Sequence, residues 1–199
     1  RLTDSENTMY NKKMIAMMLT LSMLAASLAG CAGGDDDEDD DWTITMANDV
    51  SVVWVESAWD PIIPNLNAGE MCDVIISAMT KTDARDEVVD FTSAYYTSTQ
   101  GVIGGTDAPS ITDVSELNAA GVTIGVQSGT TSDLYAADNL GMATVSGYED
   151  FPSVIAALDN GDVQYAMGDA PVLELEGTLL DTFSDENFGF AVREDSSEL

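Results

Sequence analysis

The 199-residue chain carries 36 Asp and Glu against six Lys and Arg, with no His, for a formal net charge of −30 at pH 7. Such a chain repels phosphate backbones and anionic lipid headgroups, which excludes nucleic acid as a partner and an anionic membrane surface as a direct one. An apolar fraction of 45% supports a folded, acid-coated domain or two small lobes, and the absence of His and of any Cys cluster leaves no transition-metal site and no expected cofactor.

Residues 1–8 are polar, so translation is expected to start at Met9 or Met14. Lys12 and Lys13 form a charged n-region, and Met14 to Ala26 an apolar h-region followed by small residues. Leu28-Ala29-Gly30-Cys31 has the form of a lipobox, at which a leader is cleaved and the new N-terminal cysteine lipidated. Residues 1–30 therefore read as a leader and Cys31 as the lipidation site. A transmembrane helix is the competing reading of the same apolar run. The lipoprotein reading places the domain outside the cytoplasm, at the outer face or in the periplasm, held to the cell membrane by its lipid. Residues 31–41 read as a solvated linker, because the like-charge run Gly33 to Asp41 lacks the spaced ligands and central Gly of a calcium loop. Cys72 is then expected to be a buried, inert thiol; pairing with Cys31 is the alternative by arithmetic.

The folded part begins near Trp42. Thr43–Ala47 and Ser51–Val55 read as strands, but only Asn48, Asp49 and Val50 separate them, too few for the crossover that parallel neighbours require. Trp59, Ile62, Ile63 and Leu66 recur with helical spacing, started by Asp60-Pro61 and stopped by Gly69. Trp59 reads either as core or as a ligand wall. Val74 to Ile76 is a short β-branched strand, and Thr82 is placed to cap a helix running through Glu87. Ser77, Thr80 and Arg85 thus gather at the carboxyl end of a strand, where open α/β sheets hold small ligands. A guanidinium flanked by hydroxyls suits a carboxylate; a solvated helix with a surface Arg is the plain alternative. Charge favours the first, because only Lys81, Arg85 and Arg193 follow Cys31, against thirty-four acids (thirty-six less Asp4 and Glu6).

Thr97–Gly105 reads as a strand crossing between lobes and Thr112–Leu117 as a short capped helix. Val122–Val126 is a strand entering Gln127-Ser128-Gly129-Thr130-Thr131, and a helix follows from Ser132 to about Asn139. Free N–H groups at that helix start attract an anion, although an ordinary cap explains Thr130 or Thr131 equally. Phe151, Val154, Ile155 and Leu158 form a further helical stripe closed by Asn160-Gly161. Gln164–Met167 reads as a strand with Asp169 beyond its end, before a helix at Val172–Glu176. Asp169 is an N-cap or a cation ligand. Phe188–Val192 reads as a return strand to the first lobe.

Asp73, Met79, Thr80, Thr82, Arg85, Phe91, Thr92, Tyr95 and Tyr96, together with Val126-Gln127-Ser128-Gly129-Thr130-Thr131, fall on the signature strings of one family. The chain resembles the family 3 extracellular solute-binding proteins, the polar amino-acid-binding components of ABC importers. That resemblance implies an α/β, two-lobed type 2 periplasmic-binding-protein fold with the ligand cleft between lobes. Residues 42–100 with 188–199 would form lobe 1 and residues 101–187 lobe 2. It implies an amino acid as ligand, an ABC transporter permease as partner, and neither cofactor nor catalytic residue. It gives the ligand α-carboxylate to Arg85 and Thr131, and the α-ammonium to Asp169. Ser77, Ala78, Thr80, Gln127 and Thr130 complete the shell, and Trp59, with Asn48, bears on side-chain preference. Two departures make the expected fold incomplete: the shortened first strand-helix unit, and an end at Leu199 where the family continues into further helices. A dehydratase-like enzyme, for which only Asp169 is singled out as a poised carboxylate, and a sensory ligand-binding domain are the alternatives on this fold.

Overall fold

The computed structural model describes residues 53–69 and 71–194, and the backbone of residues 29–33. The expected strand at Thr43–Ala47, the apolar run of the leader, the acidic run beyond Gly33 and Asn48 lie outside the described residues.

Among the described residues, ten strands form two five-stranded sheets. In the first, β1 (Ala29–Gly33) lies between β2 (Val53–Ser57) and β3 (Val74–Ile75), antiparallel to both, with Cys31 opposite Val55 and Ile75. β10 (Ala191–Val192) pairs antiparallel with β3 and with β4 (Asp90–Phe91), closing the order β2-β1-β3-β10-β4. No strand was expected at Ala29–Gly33.

Helix α1 (Ile62–Ala68) follows the predicted stripe and stops at Gly69, which takes the left-handed conformation with φ 67° and donates its N–H to Leu66 O. Ile62 and Leu66 pack with Ile75, Met79, Val89 and Ala191 into the first core, with Trp59 partly buried at its margin. Cys72 belongs to this core and is disulfide-bonded, not the single thiol expected. Because the sequence holds only one other cysteine, Cys31, an intramolecular bridge and a thioether-linked lipid are alternatives for one sulfur.

The second sheet has the order β7-β6-β8-β5-β9. β6 (Thr123–Gln127) runs parallel to β7 (Thr144–Tyr148) and β8 (Tyr165–Asp169), and β5 (Tyr96–Gly104) runs antiparallel to β8 and β9 (Leu179–Phe188). Alternation along the strands splits the core in two. Val102, Ile124, Val126, Tyr165 and Met167 face α3 (Thr131–Asn139), with Ala136 and Leu140. Ile103 and Ala166 face α4 (Phe151–Asn160) and α5 (Ala170–Glu176), with Val154, Leu158 and Leu173. The expected short helix near Thr112–Leu117 is a 3-10 turn, Val114–Leu117, capped by Asp113.

β7 and the ten-residue β9 were not foreseen. β9 extends well upstream of the expected return strand and pairs with β5 over most of its length, while the return itself shrinks to β10. These two crossing strands lie side by side where the chain passes between sheets. The bridge Thr80↔Phe188 and the bonds Thr92 N–H to Phe190 O and Tyr95 N–H to Phe188 O fasten the crossing to the first sheet.

Candidate functional site

The end of β3 turns sharply. Ala78 holds φ at 46°, a left-handed value that a non-glycine residue adopts only when its surroundings enforce it. Helix α2 (Asp83–Asp86) follows, with the Thr82 hydroxyl accepting from the Arg85 N–H as predicted. This cap fixes the backbone from which Arg85 reaches out. Its Nη1 donates to Thr80 O at 2.9 Å, and its Nη2 donates to Gly129 O at 3.2 Å on the second lobe. The guanidinium also stands 5.3 Å from the centre of the Trp59 ring, a cation–π distance. Trp59 thus serves as core edge and cleft wall together. Burial lowers the proton affinity of Arg85, while the charges of Glu186 and Asp169 raise it.

Across the cleft, Gly129 adopts φ 71°, and a Cβ there would stand 3.2 Å from Asp60 Oδ1 and 3.6 Å from the Trp59 ring. Glycine is required both by the conformation and by the approach of the lobes. Thr130 caps α3: its Oγ1 accepts from Asp133 N–H and donates to Gln127 O at 2.7 Å. Asp133 Oδ2 in turn accepts from Gly129 N–H at 2.9 Å, so the acid of this helix already sits at its N-terminus. Gln127 is buried and donates to Glu149 O.

Asp169 is the last residue of β8 and the residue before α5, yet its side chain makes no cap bond. It accepts from Gln100 Nε2 at 2.5 Å, and Gln100 Oε1 accepts from the Ser132 hydroxyl, which ties α3, β5 and β8 together. Removal from water pushes the Asp169 carboxyl up to about 7; Gln100 lowers it, the charge of Glu186 raises it and Arg85 lowers it.

Two cavities flank this arrangement. One of ≈ 140 Å³ is lined by Trp59, Asp60, Ile62, Met79, Arg85 and Gly129. The other, ≈ 50 Å³, lies among Gln100, Gln127, Thr130, Ser132, Phe151 and Asp169. The expected residues Trp59 and Arg85 line the first, and Gln127, Thr130 and Asp169 the second. Ser77 and Thr80 are buried nearby, Thr80 contributing its carbonyl to Arg85, whereas Ser77, Ala78 and Thr131 line neither cavity. Sequence reasoning missed Gln100, Ser132 and Glu186. Gln100 left a trace, an amide standing just before the apolar run Gly101–Gly104.

A guanidinium on one lobe and a carboxylate on the other thus lie each in the other's field, within a two-lobed α/β fold. The model of the bacterial extracellular solute-binding proteins, family 3, matches residues 43–199. The chain belongs to this family. A probable histidine-binding protein of Campylobacter jejuni is 32% identical over 156 residues, covering 74% of this chain and 59% of that protein. An ancestral amino acid-binding protein, described as a precursor of cyclohexadienyl dehydratase, superposes with a TM-score of 0.66 at 32% identity, over 71% of this chain and 63% of that one. An ancestral arginine-binding protein bound to arginine superposes with a TM-score of 0.64 at 30% identity, over 71% and 66%. In each case the chain spans less than two thirds of the other protein.

Proposed function

We propose that the chain is an extracytoplasmic amino-acid-binding protein that delivers its ligand to an ABC importer. The observation that supports this reading is the hydrogen bond from Arg85 Nη2 to Gly129 O, which joins the two lobes, with Asp169 near enough for its charge and that of Arg85 to act on each other. Arg85 and the start of α3 at Thr131 take the α-carboxylate, which replaces the Gly129 carbonyl as acceptor for Nη2. Asp169 takes the α-ammonium, and Trp59 packs on the ligand side chain. Residues 42–100 with 188–199 act as one lobe and residues 101–187 as the other. Because the ligand touches both, its affinity is higher for the closed arrangement, and closure follows from that difference. A lipid on Cys31 would hold the protein at the cell membrane next to its permease.

Thermal unfolding against a panel of amino acids tests this. A ligand at a hundred times its Kd stabilises the folded state by about 2.7 kcal/mol. One or a few amino acids should raise the midpoint, and Arg85→Ala and Asp169→Ala should each remove the effect. Arg85→Lys should not restore it, since an ammonium lacks the planar fork. No stabilisation by any amino acid overturns the proposal.

One observation favours a second reading. A carboxyl with its pKa near 7, as Asp169 has, is suited to general acid work. Turnover of a prephenate-like acid by the wild-type chain, absent in Asp169→Asn, would establish a dehydratase-like enzyme instead.

A further inference from the structure

Asp169 stands where an N-cap carboxylate would, between β8 and α5, but it makes no cap bond, so the helix does not orient it. The neighbouring strand does. Gln100 lies directly opposite Asp169 in the β5–β8 pairing, and directly opposed residues share a face. The register of β5 against β9 shifts between Thr99 and Gln100, with Ser184 of β9 as the extra residue, and a bulge of this kind re-aims a side chain.

An amide can be placed either way round, and Ser132 decides which. The Ser132 hydroxyl donates to Gln100 Oε1, so Nε2 is the end turned to Asp169, where it donates to Oδ1. Turned round, the amide would set its oxygen against the carboxylate. Gln100 and Ser132 are each 1% exposed, so water does not compete for these bonds. All three residues line the ≈ 50 Å³ cavity, beside Gln127 and Thr130. Ser132 is the second residue of α3, next to Thr131. One end of the amide therefore rests on the helix start proposed to take the ligand carboxylate, and the other holds the acid proposed to take its ammonium.

We infer that Gln100, set by Ser132, is a positioning residue for ligand binding, which holds the Asp169 carboxylate as an anion at a fixed spacing from the start of α3. This rests on the amino-acid-binding reading and adds to it a residue that acts through Asp169. Gln100 lowers the Asp169 pKa against the rise that burial imposes. Without this donor the carboxyl keeps its proton to higher pH, and an ammonium must expel that proton to bind. Arg85 on α2 and Glu186 on β9 also act on Asp169, and Tyr95, ahead of β5, lies in its field. Asp133 on α3 and Asp150 on α4 accept from the Gly129 and Ser153 N–H groups, Glu174 and Glu176 on α5 are exposed, and Asp60 lines the other cavity. Replacing Gln100 leaves all of these in place, so a change in pH dependence reports on Asp169.

The test is calorimetric titration of the full chain, wild type and Gln100→Met, at pH 6 and pH 8.5. The probe is whichever of the common amino acids raises the wild-type thermal midpoint most. Methionine matches the length of glutamine and offers no donor. Gln100→Met should bind at least tenfold more weakly at pH 6, and the deficit should narrow at least threefold by pH 8.5. Unchanged affinity, or weakening by one factor at both pH values as a merely structural role would give, overturns the inference and leaves amino-acid binding standing. Should Gln100→Met fail to fold, Ser132→Ala, which releases the amide by removing one hydroxyl, should show a smaller deficit that narrows in the same direction; a Ser132→Ala deficit independent of pH overturns the inference. Failure of the wild type to bind any amino acid overturns the parent reading, and this inference with it.

Discussion

Replacing Asp169 by Asn should make the ligand-free protein more stable at neutral pH and remove a pH dependence that the wild type carries. The carboxyl is pushed from 3.8 to about 7 in the folded chain, mainly because it is withdrawn from water. Arg85, Glu186 and Tyr95 are the titratable groups in its field. A carboxyl with a raised folded-state pKa holds its proton more tightly folded than unfolded. Its contribution to stability is therefore full below the unfolded value and is lost as pH rises toward 7. Between pH 5 and pH 8 the loss amounts to about two pKa units, or about 2.7 kcal/mol at 1.36 kcal/mol per unit. Other acids titrate as well, so the informative quantity is the difference between wild type and Asp169→Asn at the two pH values. Urea unfolding without amino acid supplies it, and a change of about 1 M in the relative midpoints is expected for a urea dependence of 2–3 kcal/mol per molar. If the variant and the wild type respond identically to pH, the carboxyl is not held in a desolvated site and the reasoning fails.

Gly129→Ala should cost about 1–2 kcal/mol, because the left-handed conformation is unfavourable for a residue with a Cβ, and that Cβ would stand 3.2 Å from Asp60 Oδ1. Its affinity for the ligand should fall as well, since the methyl group wedges the lobes apart; a calorimetric titration with affinity unchanged would contradict the proximity seen between Gly129 and Trp59. Cys72→Ser should lower the urea midpoint by the equivalent of about 2–4 kcal/mol under oxidising conditions. A mass spectrum showing a lipidated N-terminal cysteine on the wild-type chain would instead assign the Cys31 sulfur to the anchor.

Features encoded locally were legible. The cap at Thr82, the stop at Gly69, the αL glycine at Gly161 and the helix after Thr130 each depend on a few adjacent residues, and each appears where the pattern put it. β7 and β9 escaped because they are the edges of their sheet. One side of such a strand meets solvent, so in β9 acids and small polar residues interrupt Leu179, Leu180, Phe183 and Phe188, and only Glu186 and Phe188 are fully buried. β1 escaped for another reason: its pairing with β2 and β3 is non-local, and a run of Ala, Gly and Cys carries no strand signal of its own. Arg85 stood out because cations are rare, whereas Glu186 was one acid among thirty-six. Its burial and the register of β9 against β5, neither of which the sequence displays, separate it from the other described acids.

The side-by-side passage of β5 and β9 has a mechanical consequence. Two independent tethers would let the halves swing freely, but a hydrogen-bonded ribbon bends at one place and resists shear. Near that place Gly189 leaves no spare room, since an added Cβ would stand 3.0 Å from Phe91 Cδ1. A rotation of one half against the other would therefore centre on this crossing beside Phe188, as a book turns on its spine.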